Sequence, residues 1–231
     1  MEAGVDPNAK EYPSFSFLEV AAAEGSVEAV RLLLDAGALF TDQWKVALSR
    51  DHGEVFRLML AHDPGLADLS RAPLPSETGK FDAACAPLVY AIAHSRTKQA
   101  RLMLETCPGS QVHPDAVMPL ARAAAGRVNT GWLDALAARC PSLTGFAEGI
   151  AYAAAMYGSV SRRAHRVYGP ALRWALTHGA TALLPLNAAA PDETAFHHLA
   201  TWDDDVLLSL WGRHHRSAVS PVQLDDAVRR S

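Results

Sequence analysis

Hydrophobic positions in this chain recur in short bursts of helical spacing, separated by glycines, prolines and small polar clusters. Between Ser14 and Ala38 the pattern is "SFSFLEVAAAEGSVEAVRLLLDAGA". Ser16 and Glu19 form a capping-box pair, which predicts a helix starting at that point with Leu18, Ala21 and Ala22 facing inward. Gly25 supplies the turn, because a tight interhelix reversal commonly needs a positive φ. A second helix follows, with Val27, Val30, Leu33 and Leu34 on one face and Gly37 at its end. Neither helix is long enough to bury its apolar stripe alone, so the unit requires stacked neighbours.

The pattern recurs along the chain. "EVFRLMLAHDP" repeats "EAVRLLLDAGA" at an offset of 26, "ARLMLETCP" repeats it a further 44 residues on, and "PLARAAAGR" follows "PLVYAIAHS" at 32. Cys107-Pro108 and Cys140-Pro141 close two successive units. In its glycine turn, leucine pair and Gly-Ala ending the first unit resembles the ankyrin repeat, whose period is about 33. Thr194, His197 and Ala200 of "TAFHHLA" resemble the family's opening motif, and Pro87-Leu88 and Pro119-Leu120 keep its proline-leucine start.

The resemblance implies an all-α fold: an ankyrin-repeat solenoid of stacked helix–turn–helix units with a C-terminal capping helix. Residues 1–13 are expected to be a flexible N-terminus and 14–212 a divergent repeat domain. Residues 213–231, with Ser220, Pro221 and Gln223 as a helix start, are expected to be the cap or a tail. Two stretches break the period. One is the insertion near 65–85, in "GLADLSRAPLPSETGKFDAAC", which is expected to be a mobile loop, finger or lid. The other, near 159–170, contains Arg162, Arg163, His165 and Arg166, and is expected to be a solvated basic loop between paired helices with an acidic or phosphorylated partner as the sharper alternative. "SETGK" lacks the upstream glycine and the Ser or Thr of a phosphate loop.

If the family's frame carries through, the positions after its histidine slot face the concave surface. They include Val20, Glu24, Val46, Arg50, Tyr90, His94, Arg122, Tyr157, His198 and Trp202. Arginine and aromatic side chains carry binding energy at interfaces, so Arg50, Tyr90, His94, Arg122, Tyr157, His198 and Trp202 are the expected binding residues. The resemblance implies that His197 braces adjacent repeats. His197, His198 and Asp203–Asp205, or His214 and His215, are poor chelating sets, because neighbours on a helix point about 100° apart. No metal site and no cofactor are expected.

Composition narrows the partners. The chain has 231 residues, 49% of them apolar, and a net charge of −4, which argues against a protein that holds nucleic acid by neutralising phosphates. Three cysteines, Cys85, Cys107 and Cys140, leave one unpaired under any disulfide scheme and favour a reducing, intracellular site, cytoplasmic or nuclear. The opening residues lack a basic segment followed by an apolar run, and "GIAYAAAMYG" is too short to span a bilayer. The resemblance implies a non-catalytic adaptor or regulator that binds a protein partner through its concave face. The alternative is an isomerase- or cyclase-type enzyme on the same scaffold, with His94, Tyr90 and Tyr157 as acid–base groups and Arg50 or Arg122 steadying negative charge. A small-molecule ligand without chemistry is a third candidate.

Overall fold

The computed structural model describes residues 6–8, 10–12, 15–70, 87–107, 111–127 and 130–181. Among the described residues the protein is all-α apart from a short antiparallel ribbon, β1 (Lys10–Tyr12) with β2 (Phe15–Ser16). It forms two compact units, residues 1–110 and 111–231. No helix among the described residues is long and apolar enough to cross a membrane.

The first unit contains three helical pairs: α1 (Phe17–Glu24) with α2 (Val27–Asp35), α3 (Trp44–Ser49) with α4 (Gly53–His62), and α5 (Pro87–Ala93) with α6 (Thr97–Thr106). First helices pack on first helices, α1 on α3 and α3 on α5. Second helices likewise pack α2 on α4 and α4 on α6. The Ser16 hydroxyl accepts from the Glu19 amide at 3.2 Å, as the capping box requires. Pro87 opens α5 at the first helical position, where its missing N–H costs nothing.

One turn is built three times. The amides of Ser26, His52 and Arg96 reach back to the carbonyls of Ala21, Ala47 and Ala91, and those of Gly25, Asp51 and Ser95 to Ala22, Leu48 and Ile92. Each turn residue has a left-handed φ: 71° at Gly25, 63° at Asp51 and 60° at Ser95. The spacings are those of the leucine pattern, 26 and then 44 residues. Equivalent core positions follow the same offsets, with Leu18, Trp44 and Leu88 buried beside Ala21, Ala47 and Ala91.

The pairs are also braced alike. His52 Nε2 lies 3.0 Å from the Ala23 carbonyl, and Arg96 Nη2 donates to the Ser49 carbonyl at 2.7 Å. Each brace comes from the residue just before a second helix and reaches the first helix of the preceding pair. Arg96 Nη1 also lies 3.3 Å from Asp51 Oδ2, and the buried Gln99 donates to Asp51 Oδ1 at 3.2 Å.

The second unit is built around α9 (Leu143–Gly158), which packs against α7 (Val117–Ala125) and α10 (Arg162–Thr177); α10 also meets α8 (Thr130–Ala137). From Phe146 to Ala155 every residue of α9 is buried. A helix that is apolar all round belongs in a core, and this accounts for the alanine-rich run. At Gly149 a Cβ would come within 2.9 Å of Ala121 Cβ and Met118 Sδ, so α7 and α9 approach too closely for any side chain there. Glu148 is the one carboxylate inside this helix, only 1% exposed, and it accepts from both the Thr181 amide and the Thr181 hydroxyl. That pair of bonds ties the chain beyond α10 to the centre of the unit.

Three expectations change. The stretch Val160–Gly169 is not a loop between paired helices: α10 starts at Arg162, capped by Ser161 Oγ accepting from the Ala164 amide at 3.2 Å, and runs through Pro170 to Thr177. The residues that break the period lengthen α9 and α10 to 16 residues each. Ala171, Leu172, Ala175 and Leu176 are buried at spacing that α10 sustains, and this outweighs the single hydrogen bond lost at Pro170. Leu33, expected inward, is only half-buried, while Leu34 is 5% exposed. Finally, α7 begins at Val117, two residues before Pro119, after a 3-10 turn over Pro114–Ala116.

In the 65–85 insertion, Pro64–Ala67 forms a 3-10 turn that buries Leu66 and Ala67. Residues 71–86, and with them most of the expected finger, lie outside the described residues. So do Thr194, His197 and the proposed C-terminal helix.

Candidate functional site

The expected binding residues separate into groups. In the first unit Tyr90, on α5, is half-buried between Trp44 and His94. The buried Trp44 ring meets it edge-on at a centroid distance of 5.8 Å, and the exposed His94 ring stacks on it at 4.1 Å and 29°. Trp44 occupies the core position equivalent to Leu18 and Leu88, and its bulk carries aromatic surface outward to Tyr90. Lys45 Nζ sits 5.6 Å from the Trp44 ring and 3.8 Å from Asp42 Oδ2. The resulting ladder, Trp44–Tyr90–His94, runs from core to solvent across α3 and α5.

Arg50 caps the C-terminus of α3 and is exposed, and among the described residues its guanidinium makes no hydrogen bond or ion pair. Arg57 and Arg96 of the same unit are each engaged with a carboxylate, Glu54 at 3.4 Å and Asp51 at 3.3 Å. Val20 and Glu24 are exposed on α1 and Val46 is half-buried on α3.

In the second unit Arg122 is exposed on α7, and its guanidinium too is unengaged among the described residues. Tyr157 is 37% exposed and packs on Tyr168 with centroids 5.7 Å apart. His198 and Trp202 lie outside the described residues, as do His197, His214, His215 and Asp203–Asp205. Among the described residues no group of three or more His, Cys, Asp or Glu side chains could hold a metal ion.

The geometry bears on chemistry. Tyr90 and His94 meet face to face, with no hydrogen bond between them, so they do not form a proton-relay pair. Tyr157 has a tyrosine for its neighbour. Cys140 is a free thiol. Burial pushes the Cys140 thiol up to about 12, and its Sγ donates to the Leu136 carbonyl at 3.4 Å. A thiol held neutral is neither nucleophile nor metal ligand at ordinary pH.

Sequence reasoning missed Trp44 and Lys45. Both lie in "TDQWKVALS", which lacks the proline-leucine start. Alignment on the turn, with Trp44 26 residues after Leu18, would have found them. Compared with protein-family models, with curated proteins and with solved structures, the chain gives no match in any of the three.

Proposed function

We propose that the chain is a divergent ankyrin-repeat protein that binds a protein partner and acts as an adaptor or regulator, with the exposed face of the first helices as its binding surface. The observation that carries this reading is the ladder of Trp44, Tyr90 and His94, which ends in an exposed ring just past the C-terminus of α5, on the helix layer where α3 ends in Arg50, unengaged among the described residues. Rigid aromatics backed by the core, with arginine nearby on the same helix layer, are the composition of interface hot spots, because little side-chain entropy remains to be lost on binding. The threefold turn and the equivalent braces of His52 and Arg96 support the repeat assignment.

The test is quantitative partner capture with the full chain. Arg50→Ala with His94→Ala is expected to leave helical circular dichroism and the melting temperature near wild type, because both side chains are exposed. Affinity for the captured partners should fall by about tenfold or more. Wild-type affinity for every partner in the folded double variant would sink this assignment.

A further inference from the structure

Helix α10, "RRAHRVYGPALRWALT", carries four arginines and no carboxylate. Residues 111–181 hold seven arginines, no lysine and three carboxylates, an excess of four positive charges in a chain whose net charge is −4. Of those carboxylates Glu148 is buried against Thr181. Asp134, on α8, accepts from Trp174 Nε1 at 2.7 Å and lies 3.5 Å from His178 Nε2. Asp115 lies 3.7 Å from His113 Nδ1. Arg163, Arg166 and Arg173 are exposed, and among the described residues no hydrogen bond or ion pair reaches any of them.

Two of these arginines border a hollow of about 540 Å³ whose lining includes Arg166, Gly169, Pro170, Arg173 and Trp174. Arg166 and Arg173 are seven residues apart, which places them on one stripe of the helix about 10 Å apart along its axis. Between them the surface is Gly169, where a Cβ would meet nothing within 4 Å, and Pro170, which has no N–H to offer. The edge of Trp174 forms a wall, held rigid by its bond to Asp134 and by the His178 ring stacked on it at 4.3 Å. The hollow thus has two arginines that are unengaged among the described residues, an apolar floor, and polar edges at Thr130, His165 and Thr177.

We propose that this hollow docks an acidic peptide segment of a partner protein, with carboxylates on Arg166 and Arg173 and an apolar side chain seated between them over Gly169 and Pro170 against Trp174. Charge complementarity selects the carboxylates, and arginine can take each of them bidentately. The apolar floor favours a peptide over a nucleic acid: a phosphodiester chain has no aliphatic side chain for it, and the net negative charge of the protein repels a polyanion at long range. This surface lies within the second unit and shares no residue with the first-helix face proposed above, so it does not depend on it.

The experiment uses the full chain and a labelled pentapeptide with a leucine between two pairs of glutamates, titrated by fluorescence anisotropy. Saturable binding is expected, weakening as salt is raised from about 50 to 200 mM. Arg166→Glu with Arg173→Glu should weaken it at least tenfold at unchanged circular dichroism. If that variant misfolds, Arg166→Gln with Arg173→Gln should give the same loss. A peptide with glutamines for glutamates should not bind, and one with serine for leucine should bind several-fold more weakly. Arg50→Ala with His94→Ala should bind the acidic peptide like wild type, which keeps this outcome distinct from that of the first-helix face. The proposal is overturned by the absence of binding to wild type, by unaltered binding to the folded arginine variants, or by equal binding of the glutamine peptide. Displacement of the peptide by single-stranded DNA or by phosphatidylserine vesicles at lower concentration than by unlabelled peptide would also overturn it, in favour of those ligands.

Discussion

Two single residues carry sharply testable chemistry. Gly25 holds φ at 71°, and a Cβ there would lie 2.7 Å from the His52 ring that braces the first pair to the second. Gly25→Ala combines the cost of a left-handed alanine, about 1–2 kcal/mol, with displacement of that ring, and the melting temperature should fall accordingly. Cys140 bears on alkaline stability. Its pKa is raised from 9.0 to about 12 by burial, so between those values the folded chain keeps a proton that the unfolded chain releases. The unfolded state then binds fewer protons, and stability falls as pH rises. Wild type should lose stability relative to Cys140→Ala from about pH 9 upward and track it below that. A constant difference between the two denaturation curves from pH 8 to 11 would contradict the buried thiol.

At the scale of elements, the leucine pattern was read correctly in period and only partly in facing. Leu34, Leu60 and Leu104 are equivalent and all buried; Leu33, Met59 and Met103 are equivalent too, but only the two methionines are fully covered. Among the described residues the second pair is flanked by helical pairs on both sides and the first on one, which leaves Leu33 less covered than Met59. Leu34→Ala and Leu104→Ala should each cost about 2–5 kcal/mol, and Leu33→Ala clearly less than either, because part of its side chain is already in water. Equal shifts in urea midpoint for Leu33→Ala and Leu34→Ala would argue against this packing. Helix α10 teaches the complementary lesson. Gly169-Pro170 and the basic run above it look like a loop in one dimension, but the apolar face of Ala171, Leu172, Ala175 and Leu176 extends back through them against α9.

At the scale of the whole molecule, what the sequence by itself determined is the mostly helical architecture, the pairing of short helices and the place of the first turn, at Gly25. These depend on local rules: the Ser16 cap, the offsets of 26 and 44, and the need of short amphipathic helices for neighbours. Composition also located the arginine-rich stretch, although not its form. Tertiary structure decided the rest. Only packing shows that Asp51 and Ser95 adopt the left-handed turn that glycine adopts in the first pair, because closure of the turn outweighs the strain of a side chain there. Only packing turns the surplus residues near 159–170 into two extra turns of helix, since burial along α9 exceeds the loss at one proline. The ladder from Trp44 through Tyr90 to His94 and the hollow between Arg166 and Arg173 are likewise invisible in the linear pattern. Each is made by side chains from different helices, or from separate turns of one helix, and their separation is set by how helices pack and not by how residues follow one another.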